Sequence, residues 1–258
     1  MKLLCLGDIV GAPGREVLVK RLKEFREQHG VDLVVANAEN AAQGSGVTLA
    51  TYKAIRGAGV DVCTTGDHVY KRAEILKLFE RDPERILRPL NYPAAAAGRG
   101  VTTVSTAAGV PVAVINLQGR VFMDPSDDPF KAARDALAGI DAKVVVVDFH
   151  GEATSEKRAM GWFLDGKVSV VFGTHTHVPT ADEEVLPGGT AYVTDLGMCG
   201  AYRSIIGRDI QGVLTTFTTK MYAPFTIATG DVRACGILVD VDEKTGKARK
   251  IERIVMRV

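Results

Sequence analysis

The sequence predicts an α/β protein, and two patterns along its 258 residues carry the prediction. Short apolar runs rich in Val, Ile and Leu recur along the chain, and helical or turn segments separate them. These runs are continuously apolar rather than alternating, which is typical of strands buried on both faces of a sheet. Strands of this kind that alternate with amphipathic helices indicate an α/β architecture.

Six apolar runs are predicted strands, and they are 2–7, 32–37, 61–65, 110–116, 143–149 and 168–173. Three segments with apolar residues at helical spacing are predicted helices, and they are 15–30, 49–59 and 129–139. In the first of these helices Val17, Leu18 and Leu22 lie along one face. Gly30 then provides a helix stop signal.

The final third of the chain has a different pattern, in which predicted strands follow one another with few helices between them. The strand segments are 189–197, 212–219, 223–229, 235–242 and 250–258. We expect these segments to form a second layer of sheet. No linker, internal repeat or low-complexity stretch interrupts the sequence, so residues 1–258 are predicted to form a single domain.

The charge and cysteine patterns limit the class of protein. Lys and Arg number 32 and Asp and Glu number 31, so no global basic field indicates nucleic-acid binding. No stretch is long enough to cross a bilayer, and Asp8 interrupts a start that otherwise resembles a signal peptide. The four cysteines lack C-x-x-C spacing, which predicts free thiols in a reducing cytoplasm. These patterns leave open whether the chain forms a homo-oligomer.

Acids, an amide and histidines follow almost every predicted strand. Functional groups in α/β sheets gather just beyond the carboxyl ends of the strands. The candidates at these positions are Asp8, Glu39, Asn40, Asp67, His68, His150, His175 and His177. Any one of them alone is better explained by turn chemistry, which favours Asp and Asn. An acid or a histidine after nearly every strand favours a shared site instead.

Two of the five histidines stand one residue apart in the segment VVFGTHTHVPT, residues 170–180. In a strand the side chains of residues i and i+2 point the same way, which would direct His175 and His177 into one site. Three carboxylates, an amide and several imidazoles are more ligands than one metal ion needs. Mixed oxygen and nitrogen donors of this number suit two borderline divalent ions, such as manganese, iron or zinc.

These motifs resemble those of a known superfamily. The blocks GD (7–8), GDH (66–68), DFHGE (148–152) and GTHTH (173–177) are similar to the ligand blocks of calcineurin-like metallophosphoesterases. The closer resemblance is to the YmdB-like bacterial phosphodiesterases, whose AEN, EATSEK, TADE and LPGGTAY blocks occur here in order. The resemblance covers essentially the whole chain. It implies a four-layer αββα sandwich of two mixed sheets flanked by helices, with a two-metal centre at the sheet edge.

The resemblance also implies a role for each candidate residue. The ligands of one metal ion would be Asp8, Glu39, Asn40 and His177. The ligands of the other would be Glu39, Asp67, His150 and His175, with Glu39 bridging the two ions. His68 would be the proton donor.

Two positions depart from the pattern of the superfamily. Val10 stands where the wider superfamily has a histidine ligand, and Asn40 fits as the substitute. Asp67 stands where an asparagine is common, so it brings an additional negative charge to the centre.

The family's reported substrates are 2′,3′-cyclic nucleotides, which leads to a functional hypothesis. The protein would hydrolyse small phosphodiesters by attack of a metal-bridging hydroxide, with protonation of the leaving oxygen by His68. Orientation of Asp67 is the other role open to His68. The alternative enzymes are a phosphomonoesterase or a nuclease acting on RNA at the same metal pair. An alternative outside enzymes is a metal-bound regulatory protein that signals through partner contacts.

Overall fold

The computed structural model describes residues 1–258, which form two mixed β-sheets and six helices. The strands are β1 (Lys2–Leu6), β2 (Asp8–Ile9), β3 (Leu33–Asn37), β4 (Val62–Thr64), β5 (Val101–Ser105), β6 (Pro111–Gln118), β7 (Val144–His150), β8 (Val170–Thr174), β9 (Glu184–Val185), β10 (Ala191–Val193), β11 (Met198–Ala201), β12 (Val232–Val241) and β13 (Ala248–Arg257). The helices are α1 (Gly11–His29), α2 (Leu49–Ala58), α3 (Glu74–Arg81), α4 (Pro129–Leu137), α5 (Thr154–Leu164) and α6 (Ile210–Thr219).

The first sheet combines the beginning and the end of the chain, so the prediction that the C-terminal strands form a second layer of sheet is wrong. Its strand order is β2-β11-β12-β1-β3-β4, and β13 also pairs with β12. Strand β1 is parallel to β3 and antiparallel to β12, with Leu6 opposite Gly236. Four of the five residues of β1 are buried, as the continuous apolar run predicts for a strand that is covered on both faces.

The second sheet is built from the middle of the chain. Its strand order is β5-β6-β7-β8-β10-β9. The four central strands are parallel to one another, whereas β5 and β9 pair antiparallel with them at the two edges. The carboxyl ends of β6, β7 and β8 therefore meet at the same edge of this sheet.

The two sheets pack face to face, and helices cover their outer faces. In β1, Leu4 packs with α1, α2 and α3, whereas its neighbour Leu3 packs against the second sheet. In β7, Val146 faces the first sheet, whereas Val147 packs with α4 and α5. The layers therefore run helix, sheet, sheet, helix, which confirms the predicted four-layer αββα sandwich.

Two strand predictions in the final third of the chain are wrong. Residues 212–219 lie in helix α6, which begins where the Asp209 side chain accepts hydrogen bonds from the backbone N–H groups of Gln211 and Gly212. Residues 223–229 form no strand and contribute only an isolated bridge from Ile227. The six buried strands and three helices predicted for the first two thirds of the chain are confirmed.

Hydropathy along the six helices gives none that could traverse a lipid bilayer. All four cysteines are buried, and none is paired with another.

Candidate metal centre

The candidate site lies where strand ends from the two sheets meet. The first sheet contributes the residues after β1, β3 and β4, and the second sheet contributes the residues at the ends of β7 and β8. The structure brings together all eight residues predicted from the sequence, which are Asp8, Glu39, Asn40, Asp67, His68, His150, His175 and His177.

Four of these residues form the tightest group, and they are Glu39, Asp67, His150 and His175. One nitrogen or oxygen atom from each residue lies within 4.8 Å of the corresponding atoms of the others. Nε2 of His150 is at the middle, 3.0 Å from Asp67 Oδ1 and 3.1 Å from His175 Nδ1. Oε2 of Glu39 lies 3.2 Å from the same nitrogen. Nitrogen and oxygen donors this close together can reach a single ion.

A second group lies beside the first and consists of Asp8, Asn40 and His177. The Asn40 amide nitrogen is 3.1 Å from His177 Nε2 and 2.9 Å from Glu39 Oε1. Asp8 Oδ1 lies 3.8 Å from His177 Nε2. Glu39 therefore stands between the two groups, with one carboxylate oxygen toward each.

The two histidines reach different groups because the backbone leaves the strand before them. Strand β8 ends at Thr174, and His175 and His177 both have left-handed backbone conformations, with φ of 97° and 66°. The prediction that strand alternation directs both side chains is therefore wrong. Positive φ is unfavourable for these residues and persists where the surroundings hold it. Here Asp8 Oδ2 accepts the backbone N–H of His175 at 3.0 Å.

Hydrogen bonding beneath the site determines which nitrogen His150 presents. The hydroxyl of Thr174 donates its one hydrogen to Asp148 Oδ1 at 2.7 Å, so it accepts from His150 Nδ1 at 2.9 Å. Nε2 is thereby the nitrogen of His150 that faces the tight group. Asn37 and Thr64 complete this buried network by donating to Asp148 Oδ2.

The other two histidines are oriented in the same manner by groups outside the cluster. His177 Nδ1 donates to the carbonyl oxygen of Ile206 at 2.9 Å, which leaves its Nε2 lone pair facing Asp8 and Asn40. His175 Nε2 lies 3.2 Å from the carboxylate of Glu152, so its Nδ1 faces the tight group. Partners of this kind fix the tautomer and ring orientation of metal-binding histidines.

The site carries an excess of buried negative charge. Burial disfavours charged His150, but the surrounding carboxylates, Glu39 and Asp67 among them, outweigh it and raise its pKa to about 10. Burial also raises the pKa of the Asp8 carboxyl above its usual range. Burial raises the pKa of the Asp67 carboxyl, but the hydrogen bonds from His150 and His175, together with the charges of nearby histidines, outweigh it and hold that pKa well below the usual range. An acidic, buried site of this composition favours a cation.

One buried atom lacks a partner that a metal ion would provide. Asp8 Oδ1 is buried and has no hydrogen-bond partner in the protein. A carboxylate oxygen that is removed from water without a partner is costly, and a cation is one group that offsets this cost. The donor set of carboxylates and imidazoles suits transition metals such as manganese, iron and zinc.

His68 borders the cavity above the two groups and is 31% exposed. Its Nδ1 lies 2.8 Å from Asn40 Oδ1 and 3.3 Å from Glu39 Oε1. Its Nε2 lies 3.6 Å from Asp67 Oδ2. In this arrangement Asn40 turns its amide oxygen toward His68, so oxygen ligation beside His177 requires the amide to turn by about 180°.

The sequence analysis did not identify several residues that hold the site in place, because each contacts a partner that is distant in the sequence. Lys157 and Asp195 form a buried ion pair with Nζ 2.6 Å from Oδ2, and Lys157 also donates to the carbonyl oxygen of Thr174. Glu156 accepts the backbone N–H groups of Arg120 and Val121 in the loop after β6. The EATSEK block contains Glu156 and Lys157 and was the available signal, but it indicated no partner for either residue.

Comparisons with known proteins show which family the sequence matches. The family model described as YmdB-like protein matches residues 4–254. A relative from Bacillus subtilis named 2′,3′-cyclic-nucleotide 2′-phosphodiesterase is 42% identical over 99% of this chain and 97% of its own length.

Two solved structures are similar to this chain in fold. A crystal structure of a hypothetical protein from Thermus thermophilus has 40% identity and a TM-score of 0.94, and the match covers 100% of this chain and 99% of that one. The calcineurin-like phosphoesterase YfkN from Bacillus subtilis shares the fold, with a TM-score of 0.55 at 11% identity over 100% of this chain and 90% of its own. The predicted family is thus confirmed, and this chain belongs to the YmdB-like proteins.

Proposed function

We propose that this protein is a metal-dependent phosphodiesterase that hydrolyses small phosphodiesters, with 2′,3′-cyclic nucleotides as its substrates. The observation that supports this proposal most is the convergence of carboxylates and oriented imidazoles at one site, in a chain 42% identical to a relative named for that reaction. The cavity above the site has a volume of about 370 Å³. That volume lies in the range of small-molecule sites.

Each side-chain group would hold one of two transition-metal ions. We assign one ion to Asp8, Glu39, Asn40 and His177, and the other to Glu39, Asp67, His150 and His175. Iron and manganese suit this donor set, and zinc suits it as well. When bound, the ions would polarise phosphoryl oxygens and lower the pKa of a water molecule from about 15.7 to about 7. Because both sheets supply ligands, we infer that residues 1–258 act as a single domain.

His68 is the residue we assign to proton transfer. Its hydrogen bond with Glu39 raises the pKa of the imidazole, against the effect of burial, so the protonated form persists closer to neutral pH. With Nδ1 engaged by Asn40 and Glu39, Nε2 is the nitrogen left to carry a proton to the leaving oxygen of the substrate. A ribose alkoxide leaves poorly without such a proton.

Metal content and turnover test the proposal together. We expect the purified protein to hold two equivalents of transition metal per chain and to hydrolyse 2′,3′-cyclic AMP, with loss of turnover after chelation and recovery with manganese. Elemental analysis and chromatography of the nucleotide products measure both quantities. If phosphomonoesters or RNA are consumed faster than cyclic nucleotides, the substrate class is wrong. Zero or one equivalent of metal would contradict the two-ion assignment.

The role of His68 predicts a dependence on the leaving group. The His68→Ala protein should keep its metal content but lose about 10²–10⁴-fold in turnover of 2′,3′-cyclic AMP. Turnover of an aryl diester such as bis(p-nitrophenyl) phosphate should fall much less, because p-nitrophenolate leaves without protonation. His29→Ala is the matched control, since His29 is an exposed histidine on α1. Equal losses on both substrates would contradict the acid role and favour orientation of Asp67.

A further inference from the structure

The turn that orients His177 has an unusual residue at its tip. Ile205 and Arg208 exchange both backbone hydrogen bonds at 2.9 Å, so Ile206 and Gly207 form a two-residue hairpin loop. Both loop residues have positive φ, 46° for Ile206 and 93° for Gly207, as in a type I′ turn. Asn-Gly is the preferred pair in such turns. A β-branched residue at positive φ is a genuine outlier.

The contact with His177 does not explain why this residue is isoleucine. His177 donates to the backbone carbonyl of Ile206, which any amino acid would provide. The Ile206 side chain is 51% exposed, so core packing does not require it either. A strained backbone that neither the hydrogen bonds nor the core demands indicates a function for the side chain itself.

The side chain of Ile206 borders the cavity above the candidate metal centre. Only Ile206 and Val10 are apolar among the eleven residues around this cavity, and Val10 is buried. Ile206 therefore provides the exposed apolar surface in a cavity that is otherwise polar. A ligand with an apolar face, as well as a phosphate, would contact it.

The same turn brings a positive charge to the cavity wall. Arg208 also borders the cavity, and its guanidinium donates to the carbonyl oxygens of Gly44 at 2.6 Å and Phe225 at 3.2 Å. Neutral carbonyls leave the positive charge of the guanidinium available to an anion. The guanidinium of Arg208 packs directly against Gly44. A Cβ on Gly44 would lie only 2.6 Å from Arg208 Nη1, so a larger residue there would displace the guanidinium.

We infer that Ile206 determines specificity, as the apolar contact for the nucleobase of the substrate, on a turn that also presents Arg208 to its anionic part. The inference rests on the proposed phosphodiesterase function and adds to it the part of the substrate that this wall recognises. A nucleoside phosphate combines the apolar faces of a base with an anion, and these are the two features that Ile206 and Arg208 match.

An Ile206→Asn substitution separates the effect of the turn on stability from the effect of the Ile206 side chain on substrate binding. It creates the preferred Asn-Gly turn and keeps the carbonyl for His177, so the melting temperature should rise by about 2–4 °C. The KM for 2′,3′-cyclic AMP should rise roughly tenfold with kcat unchanged. The KM for the base-free analogue 1-O-methylribose 2′,3′-cyclic phosphate and inhibition by inorganic phosphate should stay the same. An Ile206→Gly protein should show the same loss of selectivity.

Lys220→Asn is the matched control, since Lys220 directly follows α6 with φ of 62° and does not border the cavity. It should raise the melting temperature without changing either KM. Unchanged KM values in the Ile206 variants, equal changes for both substrates or a lower melting temperature in Ile206→Asn would overturn the inference. Failure of the wild-type protein to hydrolyse either diester would instead overturn the proposed function and the base contact with it.

Discussion

The Gly66→Ala protein is expected to lose metal binding and to lose at least about 100-fold in turnover, because misplaced reacting groups cost this much. Gly66 lies directly against two candidate ligands. A Cβ at this position would be 2.2 Å from His150 Nε2 and 2.5 Å from Glu39 Oε2. Both side chains are buried, so neither can move away without disturbing the residues that orient it. One methyl group would therefore displace donors of both proposed ions.

Gly57→Ala is the matched control for this substitution. Gly57 lies within α2, and a Cβ there would have no heavy atom within 4 Å. Alanine is the better helix former by about 1 kcal/mol, so this variant should be slightly more stable and fully active. Elemental analysis, turnover and circular dichroism of the two variants make the comparison. A Gly66→Ala protein with normal metal content and turnover would show that the two ligands are misassigned.

The Lys157→Met protein is expected to lose about 3–5 kcal/mol in its free energy of unfolding, the usual effect of removing one partner of a buried ion pair. Lys157 and Asp195 are each about 1% exposed. Asp195 also accepts from the Thr176 hydroxyl, and Lys157 donates to the Thr174 carbonyl. The substitution leaves the Asp195 carboxylate buried without its cation. It also removes the donor to the carbonyl of Thr174, the residue before His175, so metal affinity should fall with stability.

The double variant Lys157→Met/Asp195→Asn tests whether the unpaired charge is the cause. Removing both charges should restore part of the stability lost in the single variant, because no uncompensated ion remains in the interior. Urea denaturation at a common pH measures the three unfolding free energies. Equal or greater destabilisation in the double variant would indicate that the hydrogen bonds to the threonines, rather than the charge, dominate.

The buried strands were predictable because a strand that is covered on both faces consists of consecutive apolar residues, as in residues 143–149. Helix α6 was not predictable in this way. Only Val213 is buried along it, so no helical periodicity appears, and its four threonines are residues that favour strands. The cap at Asp209 was the local signal that distinguishes the two structures.

The residues of the candidate site were predictable because strand ends collect functional groups whatever the fold is in detail. Their orientation was not, since it depends on contacts across the structure. Ile206 and Glu152 select the nitrogens that His177 and His175 present, and neither follows from a motif. The left-handed backbone of the two histidines also has no signature in residue type.

The position of β1 in the first sheet has a consequence for the order in which the molecule can form. Strand β1 is synthesised before its antiparallel partner β12, and every other strand except β13 lies between them in the chain. Pairings between such distant segments form slowly, and unpaired apolar strands are prone to aggregate in the meantime. The second sheet, whose strands all come from the middle of the chain, can be complete earlier. In the nascent protein the three site histidines of the second sheet can therefore be in place before the other five site residues, because the first sheet cannot be completed until β12 has been synthesised.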